Sequence, residues 1–250
     1  MAVFVLMGSG EFLPWAREVD TWAAEQATAP SERALILPTA AAPEGDETFN
    51  RWASMGAEHF TAIGLQAQIL PLKTRDDASR SEIVDQVAGA RYIFFSGGNP
   101  GYLATTLIDT PFWEAVRDAV AHGTAFGGCS AGASAVGSSA PDVTSSTVGM
   151  DDLVFRPGLP LFTEAVIAAH FDMLETYLPG LRDFIIGLRP EGQVLLGIDE
   201  DTAACGDGTT WAVRGKGALS LIGREGGELV EHASGATVEC RLGLTLGTRF

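Results

Sequence analysis

The sequence predicts an α/β fold, a three-layer, doubly wound and mostly parallel sheet with a C-terminal antiparallel β extension. Three observations predict it. Short apolar runs alternate with amphipathic segments over the first half of the chain, which is the order of strand–helix units in a parallel sheet. These runs are apolar almost throughout, as strands covered by helices on both faces are. From about Val194, short runs separated by glycine turns replace the alternation and are typical of antiparallel strands.

Five buried strands are predicted in the first half of the chain, at residues 3–7, 34–37, 68–72, 92–95 and 124–127. In a parallel sheet the carboxyl ends of the strands share one edge, and ligands bind in the loops there. Four such loops are expected to lie together, at residues 8–12, 38–42, 96–100 and 128–132.

Amphipathic helices are predicted between the strands, because apolar residues recur at helical spacing. The apolar faces of the first two helices carry Trp15, Val19 and Trp22 and then Phe49, Trp52, Ala53 and Phe60. A third helix is predicted to begin at Thr110-Pro111, a cap followed by a first-turn proline, and to end at Gly123.

The chain is expected to fold as a single domain, residues 1–250, with residues 203–250 as a β-rich extension of the same domain. A chain of this length buries a sizeable core. After a strand at 194–198, short runs at 211–214, 218–222, 228–230 and 237–240 supply the antiparallel part. No linker, repeat or low-complexity segment is visible.

Composition and motifs exclude several partners and cofactors. The net charge is −16, whereas nucleic acid and anionic membranes require a basic surface. Three cysteines without C-x-x-C spacing argue against a disulfide framework or a zinc site and fit a reducing, cytoplasmic location. Gly8-Ser9-Gly10 is followed by Leu13 where a dinucleotide-binding loop has its third glycine. We therefore expect neither cofactor nor metal.

One motif carries chemistry directly. Gly128-Cys129-Ser130-Ala131-Gly132 fits G-x-S-x-G, the spacing of a nucleophile elbow. There a strand turns sharply into a helix, and small neighbours leave room for a strained serine whose Oγ projects at the sheet edge. The Ala131 N–H would point to where a tetrahedral oxyanion forms. A tight strand–helix turn with an incidental serine has the same pattern, so other residues must decide.

A serine nucleophile needs a base and a group that orients the base. His170 is favoured over His232 as the base because it ends the apolar run 165–169, at the end of a predicted buried strand. His59, in the polar part of a helix, and His122, at a helix C-terminus, are expected to be structural. The residues alone leave the orienting carboxylate open among Asp199, Glu200, Asp201, Asp142, Asp151 and Asp152.

The second oxyanion donor is expected from loop 96–100. The amides of Gly97 and Gly98 carry no side chain in the way and could approach a substrate carbonyl closely. Asn99 precedes Pro100 and also fits a helix cap before a first-turn proline. Both roles are compatible in one loop.

Together, Gly97-Gly98-Asn99, the elbow, His170-Phe171 and segment 197–203 resemble the serine peptidase family of dipeptidase E and cyanophycinase. The similarity runs from the first strand to about residue 215, with the motifs in the family's order. It implies a class I glutamine amidotransferase-like fold, Ser130 as nucleophile, His170 as base and Glu200 as orienting acid. It also implies an oxyanion hole built from the Gly98 and Ala131 amides. The order Ser, His, Glu differs from that of α/β-hydrolases, whose histidine comes last.

The favoured function is a serine exopeptidase or dipeptidase that hydrolyses short peptides, aspartyl peptides among them, through an acyl-enzyme. The candidates for contacting this small peptide are Gly97, Asn99 and Asp172. Ala168-Ala169 before the histidine departs from the cyanophycinase pattern, which has Asp-Gln there, and argues against cyanophycin as substrate. A homodimer is left open.

Two alternatives use the same serine region differently. An α/β-hydrolase-type esterase would combine Ser130 with Asp207 and His232. A non-catalytic, amidotransferase-like protein would bind a small ligand instead. Glutaminases of the related fold have cysteine at the nucleophile position, whereas Cys129 is one residue early and should point away from the site.

Overall fold

The computed structural model describes residues 2–143 and 149–246 of the chain. Fourteen strands lie in these residues. They are β1 (Val3–Met7), β2 (Arg33–Leu37), β3 (Gln66–Ile69), β4 (Tyr92–Phe95), β5 (Ala125–Cys129), β6 (Ser139–Asp142), β7 (Val154–Pro157), β8 (Ala165–Ala169), β9 (Val194–Ile198), β10 (Thr202–Gly206), β11 (Thr210–Gly215), β12 (Ala218–Ile222), β13 (Val230–Ala233) and β14 (Thr237–Glu239).

The described helices connect these strands and cover the sheet. They are α1 (Ala16–Gln26), α2 (Asp46–Ala62), α3 (Ser81–Val84), α4 (Pro100–Leu107), α5 (Pro111–Ala121), α6 (Ala131–Ser134), α7 (Leu174–Tyr177) and α8 (Leu181–Leu188). The predicted caps form in two of them: the side chain of Thr110 accepts the Trp113 N–H at the start of α5, and Asn99 accepts the Tyr102 N–H at the start of α4. No helix in the described residues is long and apolar enough to cross a membrane.

The main sheet confirms the predicted fold class. Its strand order is β14-β11-β10-β1-β5-β4-β2-β3. The five strands from β1 to β3 in this order are mutually parallel, and β10, β11 and β14 extend the sheet by antiparallel pairing. The third predicted strand was placed too late, since β3 ends at Ile69. Leu70 and Leu72 are buried beyond its end, which explains why the apolar run continues past the strand.

A second sheet, with strand order β13-β12-β9-β8, was not foreseen. Strands β8 and β9 are parallel, and β12 and β13 follow antiparallel. The late strands therefore divide between two sheets rather than extending one. The pairing of β1 explains the split. This strand hydrogen-bonds to β5 on one side and to β10 on the other, so no position beside it is left for β8 or β9.

The core lies on both faces of the main sheet, as nearly all-apolar strands require. Successive side chains of a strand point to opposite faces. In β1, Phe4 and Leu6 accordingly enter one apolar cluster, and Val3, Val5 and Met7 enter the other.

The four predicted loops do meet at one edge of the main sheet. The Ser130 N–H donates to the Met7 carbonyl at the end of β1, at 2.9 Å. The Asn99 N–H donates to the Ala40 carbonyl, also at 2.9 Å, which joins the loop after β4 to the segment after β2. This edge is therefore where the candidate residues are displayed.

The surroundings of His59 correct the sequence analysis, which placed this residue in the polar part of a helix. His59 is buried, and its Nε2 lies 2.7 Å from Oδ2 of the fully buried Asp20. The Tyr92 hydroxyl donates to Oδ1 of the same carboxylate at 2.7 Å. Burial, and then the Asp20 carboxylate, raises the pKa of Tyr92 well above its usual range, so the hydroxyl stays a donor. The three side chains form a polar cluster inside the α1–α2 side of the core.

Removing the shared acceptor should destabilise the fold strongly. Asp20→Ala leaves the buried His59 and Tyr92 without their common partner, which is expected to cost about 3 kcal/mol or more. Urea denaturation measures this loss. The matched control is Asp118→Ala, whose carboxylate is 66% exposed beside His122; it should shift the midpoint little. Equal midpoints for the two variants would contradict a stabilising role for the buried cluster.

Candidate active site

Ser130 lies in a sharp turn between β5 and α6. Its φ of 51° and ψ of −107° lie outside the backbone conformations that a residue with a side chain normally adopts. The flanking glycines are required by close approach. A Cβ on Gly128 would overlap the carbonyl of Gly132, and one on Gly132 would overlap the carbonyl of Phe95. The G-x-S-x-G segment therefore adopts the strained turn that its spacing predicts.

His170 and Glu200 reach the serine from the second sheet. His170 follows β8 and Glu200 follows β9, and the parallel pairing of Ala169 with Ile198 brings both strands to the same edge. The Ser130 Oγ lies 2.8 Å from His170 Nε2. On the other side of the ring, His170 Nδ1 lies 2.9 Å from Glu200 Oε1. Hydroxyl, imidazole and carboxylate thus form one hydrogen-bonded chain.

The neighbouring acids have other partners. Asp199 Oδ2 accepts the Ala218 N–H at 2.9 Å, and Asp201 Oδ2 pairs with Lys216 at 2.7 Å. Partial burial raises the pKa of the Asp199 carboxyl. Of these three consecutive acids, Glu200 is the one in contact with the imidazole.

Of the rival acids at residues 142–152, Asp142 and Asp152 are engaged elsewhere. Asp142 accepts from Asn99 Nδ2 at 2.9 Å and pairs with Arg156 at 3.1 Å. Asp152 accepts the Gly149 N–H, and Asp151 lies in the same short 3-10 helix, Met150–Asp152. In the structure, the acid that meets His170 comes from the β9–β10 connection instead.

The three residues expected to contact substrate make contacts within the protein. The Gly97 N–H donates to Glu11 at 2.9 Å. Asn99 uses its side-chain oxygen to cap α4 and its nitrogen to hold Asp142. Asp172 Oδ1 accepts the Glu200 N–H at 2.9 Å. The observed contacts position the site, and any further contact of these residues with substrate stays a prediction.

Two backbone amides beside the serine have a different character. Within the described residues, neither the Gly98 nor the Ala131 N–H donates to a protein acceptor. Gly98 has φ of 138°, a conformation that favours glycine, and a Cβ there would overlap the backbone of Ala40. Both amides therefore lack an acceptor within the described residues and are the candidates for holding an oxyanion next to Ser130.

The sequence analysis missed two residues that hold the site. Glu11 is 5% exposed; it accepts the Gly97 N–H at 2.9 Å and the Cys129 thiol at 2.8 Å. The Tyr177 hydroxyl donates to Glu200 Oε1 at 2.9 Å. Partial burial, and then the bond to Glu200, raises the pKa of Tyr177 to about 12, so it remains a donor at neutral pH. Glu11, an acid in a loop assigned to the edge, was a detectable signal, whereas Tyr177 carried none.

Cys129 is placed away from the open side of the site, as its position one residue before the serine suggested. It is fully buried in the apolar cluster under α1 and contacts Glu11. Burial, and then the Glu11 carboxylate, raises the pKa of the Cys129 thiol well above its usual range. A buried, protonated thiol is inert as a nucleophile.

The residues of the esterase alternative lie elsewhere. Asp207 follows β10, whose Gly206 pairs with Phe4 at the opposite edge of the sheet from Ser130. Its carboxylate accepts two backbone N–H groups of its own turn. His232 pairs with Leu219, which pairs with Ile198, so three strand spacings, roughly 14 Å, separate it from Ala169. This corrects the α/β-hydrolase alternative, which loses both its base and its acid.

A cavity of about 430 Å³ opens beside Ser130 and His170. Gly98 also lines it, so the loop after β4 and Ser130 border one space. Elsewhere its lining is mainly apolar. Within residues 2–143 and 149–246, no group of three or more His, Cys, Asp or Glu side chains could hold a metal ion.

Known proteins resemble this chain in sequence and in structure. Cyanophycinase from Nostoc sp. is 26% identical over 225 residues, which cover 87% of this chain and 72% of the relative. Cyanophycinase from Geminocystis herdmanii is 27% identical over 212 residues, 79% of this chain and 71% of the relative. A peptidase from an acI-B1 Actinobacterium superposes with a TM-score of 0.84 at 28% identity, covering 96% of this chain and 97% of that one.

A more distant structure supports the fold. A putative peptidase E protein from Listeria monocytogenes has a TM-score of 0.60 at 18% identity, over 86% of this chain and 98% of that one. The model of peptidase family S51 matches residues 4–213, which contain the elbow, His170 and Glu200. With the peptidase-E type of fold and the geometry at Ser130, this match shows that the chain belongs to peptidase family S51 and is a serine peptidase.

Proposed function

We propose that this protein is a serine exopeptidase that cleaves short peptides through an acyl-enzyme formed on Ser130. The observation that carries the proposal is the unbroken chain from the Ser130 Oγ through His170 to Glu200, with contacts of 2.8 and 2.9 Å. A cavity of about 430 Å³ supports a short substrate, because pockets of this size hold small ligands rather than long segments of polypeptide. An aspartyl preference is implied by the family resemblance alone, and the mainly apolar lining of this cavity does not support it.

In the first step, the Ser130 Oγ attacks the scissile carbonyl carbon while its proton moves to His170 Nε2. Glu200 accepts the Nδ1–H, which leaves Nε2 unprotonated to act as base and stabilises the imidazolium that forms. The carbonyl oxygen becomes an oxyanion and accepts from the free Gly98 and Ala131 N–H groups. These donors are fixed in place before the reaction begins.

In the second step, His170 returns the proton to the leaving amine, the C–N bond breaks and the acyl group stays on Ser130. Water then attacks the ester, with His170 again taking a proton and finally restoring it to Oγ. Tyr177 acts through Glu200 as a positioning residue, since its hydroxyl and the His170 ring both donate to Oε1 of that carboxylate.

The assignment of the nucleophile and base predicts the effect of three substitutions. Ser130→Ala and His170→Ala should each lower kcat by about 10³-fold or more. His232→Ala is the matched control and should retain activity, because this residue lies three strands away in the second sheet. Hydrolysis of a dipeptide panel, together with fluorophosphonate labelling mapped by mass spectrometry, measures all three. Full activity in Ser130→Ala, or loss of activity in His232→Ala alone, would contradict the assignment.

The contacts of Glu11 predict that its substitution slows the reaction of Ser130 with a fluorophosphonate. Glu11→Ala leaves the buried Gly97 N–H without its acceptor, a loss of about 1–3 kcal/mol, and loosens the loop that carries the Gly98 amide. Phosphonylation of Ser130 should slow by about 10-fold or more. Glu11→Gln keeps an acceptor oxygen and should recover most of the rate. If both variants retain the wild-type melting temperature and their Ser130 is phosphonylated as fast as that of the wild type, Glu11 has no positioning role.

A further inference from the structure

The cavity beside Ser130 has a composition that restricts the substrate. Much of its apolar lining comes from β7, the segment before it, β8 and the helices that follow β8. The side chains that carry the argument are Leu153, Phe155, Leu174, Leu178, Leu181 and Ile185. Ser130, His170 and Gly98 line the same space. An occupant bonded to Oγ would therefore rest against an apolar surface.

No described lining residue carries a charge complementary to a carboxylate. Within residues 2–143 and 149–246, the lining includes no Lys, Arg, Asp or Glu, and its ionisable groups are His170 and Tyr177. The sequence of residues 144–148 contains no Lys or Arg either. The two nearby arginines, Arg156 and Arg182, do not line the cavity. Arg156 pairs with Asp142, and the Arg182 guanidinium lies over the Phe171 ring, with its buried Nε lacking a hydrogen-bond partner within the described residues.

An aspartyl side chain in this cavity would lose its hydration without gaining an ionic partner, which disfavours binding strongly. The net charge of −16 adds a general repulsion of acidic substrates. A leucyl or phenylalanyl side chain fits a space of about 430 Å³ and gains by leaving water. We assign the cavity to the residue on the acyl side of the scissile bond, because that residue stays bonded to the Ser130 Oγ after the amine departs.

We infer that the peptides cleaved at Ser130 carry a large apolar residue on the acyl side of the scissile bond, rather than aspartate. This inference rests on the proposed function. It assigns the cavity as the specificity pocket, with the β7 and α7–α8 side chains as its walls.

Aminoboronic acids test the inference without a cleaved substrate, since boron bonds to a reactive serine as the acyl carbon would. Analogues with the side chains of leucine, phenylalanine and aspartate are compared by how well each protects Ser130 from a fluorophosphonate. The leucine and phenylalanine analogues should protect at concentrations at least about 100-fold lower than the aspartate analogue. Equal protection by the analogues, or better protection by the aspartate analogue, overturns the inference. The proposed function still stands in that case, provided that the fluorophosphonate labels Ser130 when no analogue is present. Absence of Ser130 labelling overturns the proposed function and, with it, the inference.

A pair of variants on α8 tests whether the cavity is the pocket. Ile185 lines the cavity, whereas Leu188, one turn later, is 40% exposed and does not. Ile185→Arg should weaken protection by the leucine analogue about 10-fold or more and strengthen that by the aspartate analogue. Leu188→Arg should match the wild type. Identical behaviour of the two folded variants overturns the pocket assignment. If Ile185→Arg fails to fold, Ile185→Ala must weaken protection by the leucine analogue, and unchanged protection overturns it.

Discussion

The contact between Ser130 and His170 is a junction between two sheets, and the geometry of the site depends on it. Ser130 follows a strand of the main sheet, whereas His170 follows a strand of the second sheet. Glu200 lies in the short connection by which the chain passes from β9 in the second sheet to β10 in the main one. The 2.8 Å hydrogen bond can form only while the two sheets keep their relative position. A shift of about 1 Å between the two sheets would lengthen the contact between the hydroxyl and the imidazole beyond hydrogen-bonding distance.

The loop after β1 contacts both sides of this junction. The Gly8 N–H donates to the Thr202 carbonyl, and a Cβ on Gly8 would overlap the Asp199 carbonyl, so the loop lies directly against the β9–β10 connection. The Ser9 hydroxyl accepts the Asp201 N–H at 3.0 Å. Two residues later, Glu11 reaches the segment beside the serine. One short loop therefore contacts both the connection that carries the acid and the segment that carries the candidate oxyanion donor.

Much of this arrangement was predictable from local pattern. Strands buried on both faces are apolar at every position, and the carboxyl ends of parallel strands meet at one edge, so the main sheet and its four loops followed from the order of the runs. The spacing of residues 128–132 predicted the strained turn because only small residues fit it. The choice of Glu200 over Asp199 and Asp201 came from family resemblance, since three adjacent acids are equivalent by spacing.

The second sheet escaped prediction because strand partnership is non-local: β10, about 200 residues after β1, pairs with the side of β1 that faces away from β5. His59 was misjudged because its partner Asp20 lies on another helix and offsets the polarity of the imidazole. Tyr177 contacts Glu200 only through the packing of α7 against the site. In each case a partner distant in sequence decides the environment of the residue.

A crystal structure of the protein after reaction with a fluorophosphonate tests the central claim most directly. The account predicts phosphorus bonded to the Ser130 Oγ, with its phosphoryl oxygen about 2.7–3.1 Å from the backbone nitrogens of Gly98 and Ala131. His170 should remain hydrogen-bonded to Glu200 in that adduct. Phosphorus on another residue, or a phosphoryl oxygen directed away from both amides, would contradict the account.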